Sequence, residues 1–303
     1  MSLIASDTTL IDLEFLGRPF HIATALVEAP GGPILIDPGP ASTLPRLRAA
    51  LAERGIGVSD VRALLLTHIH LDHAGATGVL VRENPGLKVY VHERGAPHLI
   101  DPSRLLASAT RLYGDRMEML WGEVASVPAA NVVALAGGER VDVAGRSFDV
   151  AYTPGHAVHH VSYLDPATGT AYVGDTAGIR VNSLPFALPP APPPDIDLEA
   201  WKESLARIRA WAPERLFVTH FGPLDDVSEH MEEFETRLFA WADAVKASLD
   251  EPGTDEERAR RFVEAARAEM RRHLPEEAAR GYEESGGIEA TWYGLARYWR
   301  GRG

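Results

Sequence analysis

The chain has 303 residues, a net charge of −13 and no cysteine. That charge speaks against a broad basic face for nucleic acid. The missing thiols exclude disulfides, thiolate metal ligands and a cysteine nucleophile, so any metal site must use nitrogen and oxygen donors.

In chain order, three strands come first: Ile11–Leu16, His21–Val27 and Pro33–Asp37, punctuated by Gly and Pro. Ser42 or Thr43 caps a helix through about Arg54, with Pro45 in its first turn. The apolar run Ala63–Leu66 reads as a buried strand. A helix follows Gly75, then the strand Lys88–Val91 and a mostly helical stretch from Glu93 to Gly122. A second strand-rich block runs from about Asn131 to Gly178, so two sheets between helical layers are expected. Pro185–Pro194 is a semi-rigid Pro-rich loop. A helix near Asp197–Trp211 and the strand Arg215–Val218 close this part. Beyond Leu224 the chain is helical, with one apolar stripe through Met231, Phe234, Leu238, Trp241 and Val245 and another through Phe262, Ala266, Met270 and Leu274. The division expected is a catalytic domain over 1–224 and a helical extension over 225–303. The Leu238, Trp241 and Val245 stripe suits a homodimer or an intramolecular contact equally. Met1–Asp7 lacks a signal-peptide pattern and no apolar run is long enough to span a bilayer. The cytoplasm is the default compartment, and no membrane partner is expected.

Directly after the Leu-rich strand stands Thr67-His68-Ile69-His70-Leu71-Asp72-His73. Three imidazoles and a carboxylate at a strand's C-terminal end are a metal-binding pattern. His68 and His70 alternate along extended chain and point the same way. Asp72 and His73 follow as the chain turns and aim at a second point nearby. His156, Asp175 and His220 repeat the placement, each just after an expected strand, in Thr153-Pro154-Gly155-His156, Gly174-Asp175 and Thr219-His220-Phe221-Gly222-Pro223.

In that order these motifs resemble the metallo-β-lactamase superfamily, over roughly Ile11 to Leu224. Leu35-Ile36-Asp37-Pro38-Gly39 is similar to that family's early strand-turn motif, whose Asp supports the metal site from behind. The resemblance implies a four-layer αββα sandwich, here with a C-terminal helical extension. It implies that His68, His70 and His156 hold one metal, that Asp72, His73 and His220 hold a second, and that Asp175 bridges them. Two divalent cations are expected, zinc first, with manganese or iron as alternatives. Such a pair, about 3.5–4 Å apart, makes hydroxide available at neutral pH and polarises the attacked oxygen. Asp72, Asp175 and His160 are the catalytic candidates.

Departures from the family pattern narrow the branch. The Gly-Arg-x-Asp element usual in glyoxalase II and persulfide dioxygenase members is missing from Gly174–Asn182, which weakens a glutathione-thioester reading. In Pro-Gly-His-x-x-Gly-His the second Gly is replaced by His159, either a proton donor at the cavity edge or a surface residue, and His160 falls on the following His. β-Lactamases with a Cys ligand are excluded, and those with other ligand sets lack the bridging Asp. What remains is a hydrolase of small esters, lactones, thioesters or phosphoesters. The alternative is a mononuclear iron oxygenase like the persulfide dioxygenases, and a structural metal scaffold is a third, weaker reading. Tyr113, Trp121, Phe186, Trp292 and Tyr293 are candidates for the substrate pocket, each able to serve the core instead, Trp292 above all. No arginine pair in the sequence announces an anionic substrate.

Overall fold

The computed structural model describes residues 2–181, 184, 186–285 and 287–302; the side chains of 283–285 are not described. Pro185, the first residue of the expected Pro-rich loop, and Asn182, the last of the Gly174–Asn182 stretch, lie outside them. Strands β1 (Ser2–Ala5), β2 (Thr8–Asp12), β3 (Ala23–Val27) and β4 (Ile34–Ile36) pair in sequence order, all antiparallel. β5 (Ala63–Leu65), β6 (Lys88–His92) and β7 (Val132–Leu135) extend the same sheet in parallel from β4. The second sheet is β8 (Arg140–Val143), β9 (Arg146–Tyr152), β10 (Val161–Asp165) and β11 (Thr170–Tyr172) in antiparallel order, closed by β12 (Arg215–Phe217) parallel to β11. Thus β9, β11 and β12 run in one direction and deliver their following loops to one edge.

Period-two alternation builds the layers. Ala25, Val27, Ile34, Ile36 and Leu65 meet Phe148, Val150, Val161, Tyr163 and Tyr172 between the sheets. The alternate residues Leu26, Leu35 and Leu64 face outward and pack with Leu47 and Leu51 of α1 (Leu44–Ala52) and Val79 and Leu80 of α3 (Thr77–Glu83). The second sheet's other face joins α7 (Leu198–Ala210) and the C-terminal helices in one apolar cluster. The result is the four-layer αββα sandwich.

The first expected strand is misplaced. β2 starts at Thr8 and stops at Asp12, because the Asp12 carboxylate accepts the backbone N–H groups of Glu14 (3.0 Å) and Phe20 (2.9 Å). Glu14 and Leu16 then adopt left-handed φ, turning the chain. Strand β1 was not anticipated. Thr43 does precede α1, but its hydroxyl donates back to Pro40 O (2.9 Å) instead of capping the helix. The helix expected near Asp197–Trp211 is α7, and Asp197 caps it, accepting from Ala200 N at 3.1 Å.

The helical segment 93–122 comprises α4 (Ala96–Ile100), α5 (Ser103–Tyr113) and α6 (Met117–Trp121), and α2 (Leu71–Ala74) is a single turn inside the His loop. The extension is α8 (Val227–Ser248), α9 (Asp255–His273), α10 (Glu276–Ser285) and α11 (Ile288–Arg300). Thr254 and Glu257 form a reciprocal capping box at the start of α9, the pattern that fixes its first turn. Leu238, Trp241 and Val245 are buried within the chain, with the Trp241 ring edge-on to Phe262 at 5.2 Å. Of the two uses open to that stripe, the intramolecular one is realised. No described helix is long and apolar enough to cross a membrane.

Candidate metal centre

Strand β5 ends at Leu65, the chain runs extended to His70, and α2 begins at Leu71. This change of conformation splits the motif as its spacing implies. His68 and His70 lie on the extended part, and His70 Nδ1 is 3.0 Å from His68 Nε2. His156, from the β9–β10 loop, brings its Nε2 to 3.0 Å from the same Nδ1. Asp72 and His73 lie on the α2 turn and face His220, which follows β12. His220 Nε2 is 3.2 Å from His73 Nε2 and 3.3 Å from Asp72 Oδ2. Asp175, after β11, spans the two groups: Oδ1 is 3.2 Å from His73 Nε2, and Oδ2 is 3.4 Å from His156 Nε2. All seven expected ligands therefore converge.

The donor set fits cations on its own geometry. A neutral imidazole carries one N–H and one lone pair. The Nδ1–H groups of His156, His73 and His220 are taken by Pro190 O, Asp37 Oδ2 and His21 O, each at 2.8 Å. Their Nε2 lone pairs therefore point inward, and those of His73 and His220 face each other. Only a proton or a cation relieves that repulsion. Ligands about 2.1 Å from a tetrahedral ion lie about 3.4 Å apart, close to the separations found. Asp175 Oδ1 is buried without a hydrogen-bond donor, as a metal-ligating oxygen would be.

Electrostatics point the same way. Burial, with His73 and His70 adding, holds His68 well below the ordinary imidazole range. Burial and then His156 bring His70 down to about 3. Both rings are neutral, the form that binds metal. Burial acts likewise on His73, but Asp175, Asp37 and Asp72 outweigh it and raise its pKa well above the usual value. For Asp72 and Asp175 burial is again the largest influence, yet the neighbouring imidazoles, His73 first, keep both carboxylates ionised. The centre holds excess negative charge for cations to balance.

Asp37 supports this arrangement from beneath. Its Oδ2 accepts from Thr67 Oγ1 (2.7 Å), His73 Nδ1 (2.8 Å) and Thr219 Oγ1 (2.8 Å), and its Oδ1 accepts from Thr67 N (2.8 Å). Thr67 and Thr219 are partners that sequence reasoning did not single out; each immediately precedes a ligand histidine, which is the available signal. Gly174 has φ +47°, and a Cβ there would lie 2.5 Å from Thr67 Oγ1 and 2.7 Å from His160 Nε2. Only glycine lets Asp175 approach so closely.

His160 does not line the cavity that opens over this centre. It is fully buried behind His68, ring stacked at 4.9 Å, with Nδ1 within 3.0 Å of Thr153 Oγ1. Its place behind His68 suits a positioning role.

A cavity of about 340 Å³ opens over Asp72, Asp175 and His220. Tyr113 and Trp121 line it as expected. Phe186, Trp292 and Tyr293 do not: Phe186 lies against the Arg237 guanidinium and meets Tyr282 edge-on, Trp292 donates to Ser248 Oγ at 3.0 Å, and Tyr293 packs on the apolar cluster of the extension. Apolar size alone does not distinguish a pocket from the core beside it. His159 is no surface residue, being 6% exposed on the cavity wall. Arg94, His98 and Arg104 also line the cavity and were not anticipated. The position of Arg94, just past β6, was the missed signal.

The comparisons with known proteins agree with this geometry. The family signature described as the metallo-beta-lactamase superfamily matches residues 17–220. The metallo-beta-lactamase fold-containing protein ST1585 of Sulfurisphaera tokodaii is 28% identical over 206 residues, 66% of this chain and 75% of that protein. A hydroxyacylglutathione hydrolase of Thermosynechococcus vestitus is 31% identical over 128 residues, 42% of this chain but only 38% of that protein. The solved structure of the metallo-beta-lactamase family protein TTHA1429 from Thermus thermophilus superposes with a TM-score of 0.74 at 24% identity, covering 99% of this chain and 95% of that one. The signature spans well over half of the sequence and takes in all seven converging candidate ligands, and the chain belongs to the metallo-beta-lactamase superfamily.

Proposed function

We propose that the protein is a hydrolase that holds two divalent cations and cleaves a small ester, lactone, thioester or phosphoester. The observation that carries this reading is Asp175, whose two oxygens reach one imidazole of each ligand group, His73 and His156. The similarity to a hydroxyacylglutathione hydrolase supports ester-type chemistry in general. Two bound cations would supply hydroxide at neutral pH and polarise the electrophilic carbonyl or phosphoryl group.

The chain's own groups do the rest. Asp72, on the α2 turn, stays ionised and can accept a proton from the attacking water. Tyr113 stands on the cavity wall; burial, with the Asp72 charge adding, pushes its hydroxyl up to about 12. It therefore remains a hydrogen-bond donor at neutral pH. Ile69, Leu105 and Trp121 give the wall an apolar face that keeps bulk water from the bound substrate.

Elemental analysis of the purified protein, followed by a panel of carboxyl esters, lactones, thioesters and phosphodiesters, tests the reading. Two zinc or manganese ions per chain with turnover of one class are expected. No turnover across the panel by metal-loaded protein would refute it. A single iron with oxygen uptake on glutathione persulfide would favour the oxygenase instead.

A further inference from the structure

The cavity wall carries charge that the metal ligands do not account for. Arg94, His98 and Arg104 come to it from one stretch, the end of β6 through the start of α5. The Arg94 guanidinium lies over the Tyr152 ring at 5.7 Å, and the Tyr152 hydroxyl donates to Val158 O at 2.8 Å. This ties the basic edge to the loop that carries His156 and His159. Among the described residues neither Arg94 nor Arg104 forms an ion pair. The wall's other carboxylate besides Asp72 and Asp175 is Asp195, and it pairs with neither arginine.

His159 stands between this edge and the metal ligands. Its ring stacks on His68 at 6.1 Å and meets His70 edge-on at 5.6 Å. It also packs against Gly95, the neighbour of Arg94: a Cβ on Gly95 would come 3.4 Å from the His159 Cβ. His159 is 6% exposed, and its Nδ1 is buried without a hydrogen-bond partner. Neither ring nitrogen is committed among the described residues. An imidazole ring always carries at least one N–H to offer. A buried polar ring left without a partner is costly unless a ligand supplies one.

We propose that the substrate ends in an oxyanion, a carboxylate or a phosphate, held by Arg94 and Arg104, with the His159 N–H donating to a substrate oxygen between that group and the metal centre. This rests on the hydrolase reading above. Guanidinium groups match the planar or tetrahedral oxygens of such anions with paired hydrogen bonds. Arg94 and Arg104 stand on different elements of one stretch, and only folding brings both to one cavity, which is why no arginine pair was evident from sequence.

Three thioether analogues of one small thioester, ending in a carboxylate, a phosphonate or a neutral methyl ester, are titrated calorimetrically into metal-loaded protein. One of the two anionic analogues should bind at least about tenfold tighter than the neutral one, and which of them does so names the group. The double variant R94Q/R104Q should level the affinities. H159A should weaken binding by about fivefold, whereas H159Q, which keeps a donor, should not. Metal content and unfolding temperature verify that each variant is folded and loaded. Equal affinities, no binding by any analogue, or an anion preference that survives R94Q/R104Q because the metals hold the anion, would each overturn the inference. Turnover of the matching thioesters is followed in parallel. Turnover without anion preference refutes this inference alone, and anion preference without turnover of these thioesters or of any ester, lactone or phosphodiester in the panel refutes the hydrolase reading alone.

Discussion

Asp37 shows how much of the metal centre depends on one side chain that touches no expected metal position. Four hydrogen bonds from three residues on two separate segments end on its carboxylate, one of them from the ring of His73. Asn in its place would turn an amide N–H₂ toward donors. D37N should lower affinity for the second metal by about 10–100-fold, the usual cost of losing a ligand's supporting partner, read by chelator competition. Asp175 should behave differently, because it joins the two ligand groups directly. D175N is expected to reduce stoichiometry from two ions to one, as measured by elemental analysis after dialysis. At this scale the sequence was highly informative: His68, His70, Asp72, His73, His156, Asp175 and His220 all meet where the motif spacing and the family resemblance put them. His159 and His160 were harder to read. They are adjacent in sequence, yet one faces the cavity and the other lies behind His68, and only the packing of the β9–β10 loop decides which.

Among the elements, α8 carries a titration that belongs to stability and not to the metal centre. His230 is 1% exposed and donates Nε2–H to Ala177 O at 2.8 Å. Burial pushes its pKa down, outweighing the bond to Ala177. In the unfolded chain the ring protonates near pH 6.5. Below that pH the unfolded state binds one proton more than the folded state, so stability falls on acidification until the lowered folded-state pKa is reached; above it the ring contributes no pH dependence. H230Q keeps a donor and removes the titration. Between pH 6.5 and 5.5 wild type should lose up to about 1 kcal/mol more than H230Q, measured by urea unfolding. A difference independent of pH would refute this. β3 and β5 were legible as short apolar runs because both of their faces are buried, and α7 and α8 because each buries one face of a helical repeat. β1 and the end of β2 were not, since they are fixed by strand pairing and by the Asp12 carboxylate gathering distant N–H groups.

Across the whole molecule, the helical extension and the metal centre are not independent. Thr291 of α11 accepts from Ala191 N at 3.1 Å and donates to Pro189 O at 3.2 Å. Pro190, between them, accepts from His156 Nδ1 at 2.8 Å. Gly294 lies so close that a Cβ would fall 2.0 Å from Ala191 O. T291V strands the buried Ala191 N–H and should cost about 1–3 kcal/mol of stability while weakening metal binding at His68, His70 and His156; thermal unfolding and metal titration check the two effects. Periodicity alone could not show this link, because it identifies a buried face without naming what covers it. Linkage also runs backwards: if α11 favours the orientation of His156 that binds metal, then metal favours the docked state of α11 by the same factor. Hydrogen exchange in Ile288–Arg300 should therefore slow when metal is added, making the last helix of the chain a reporter of the ions held at its centre.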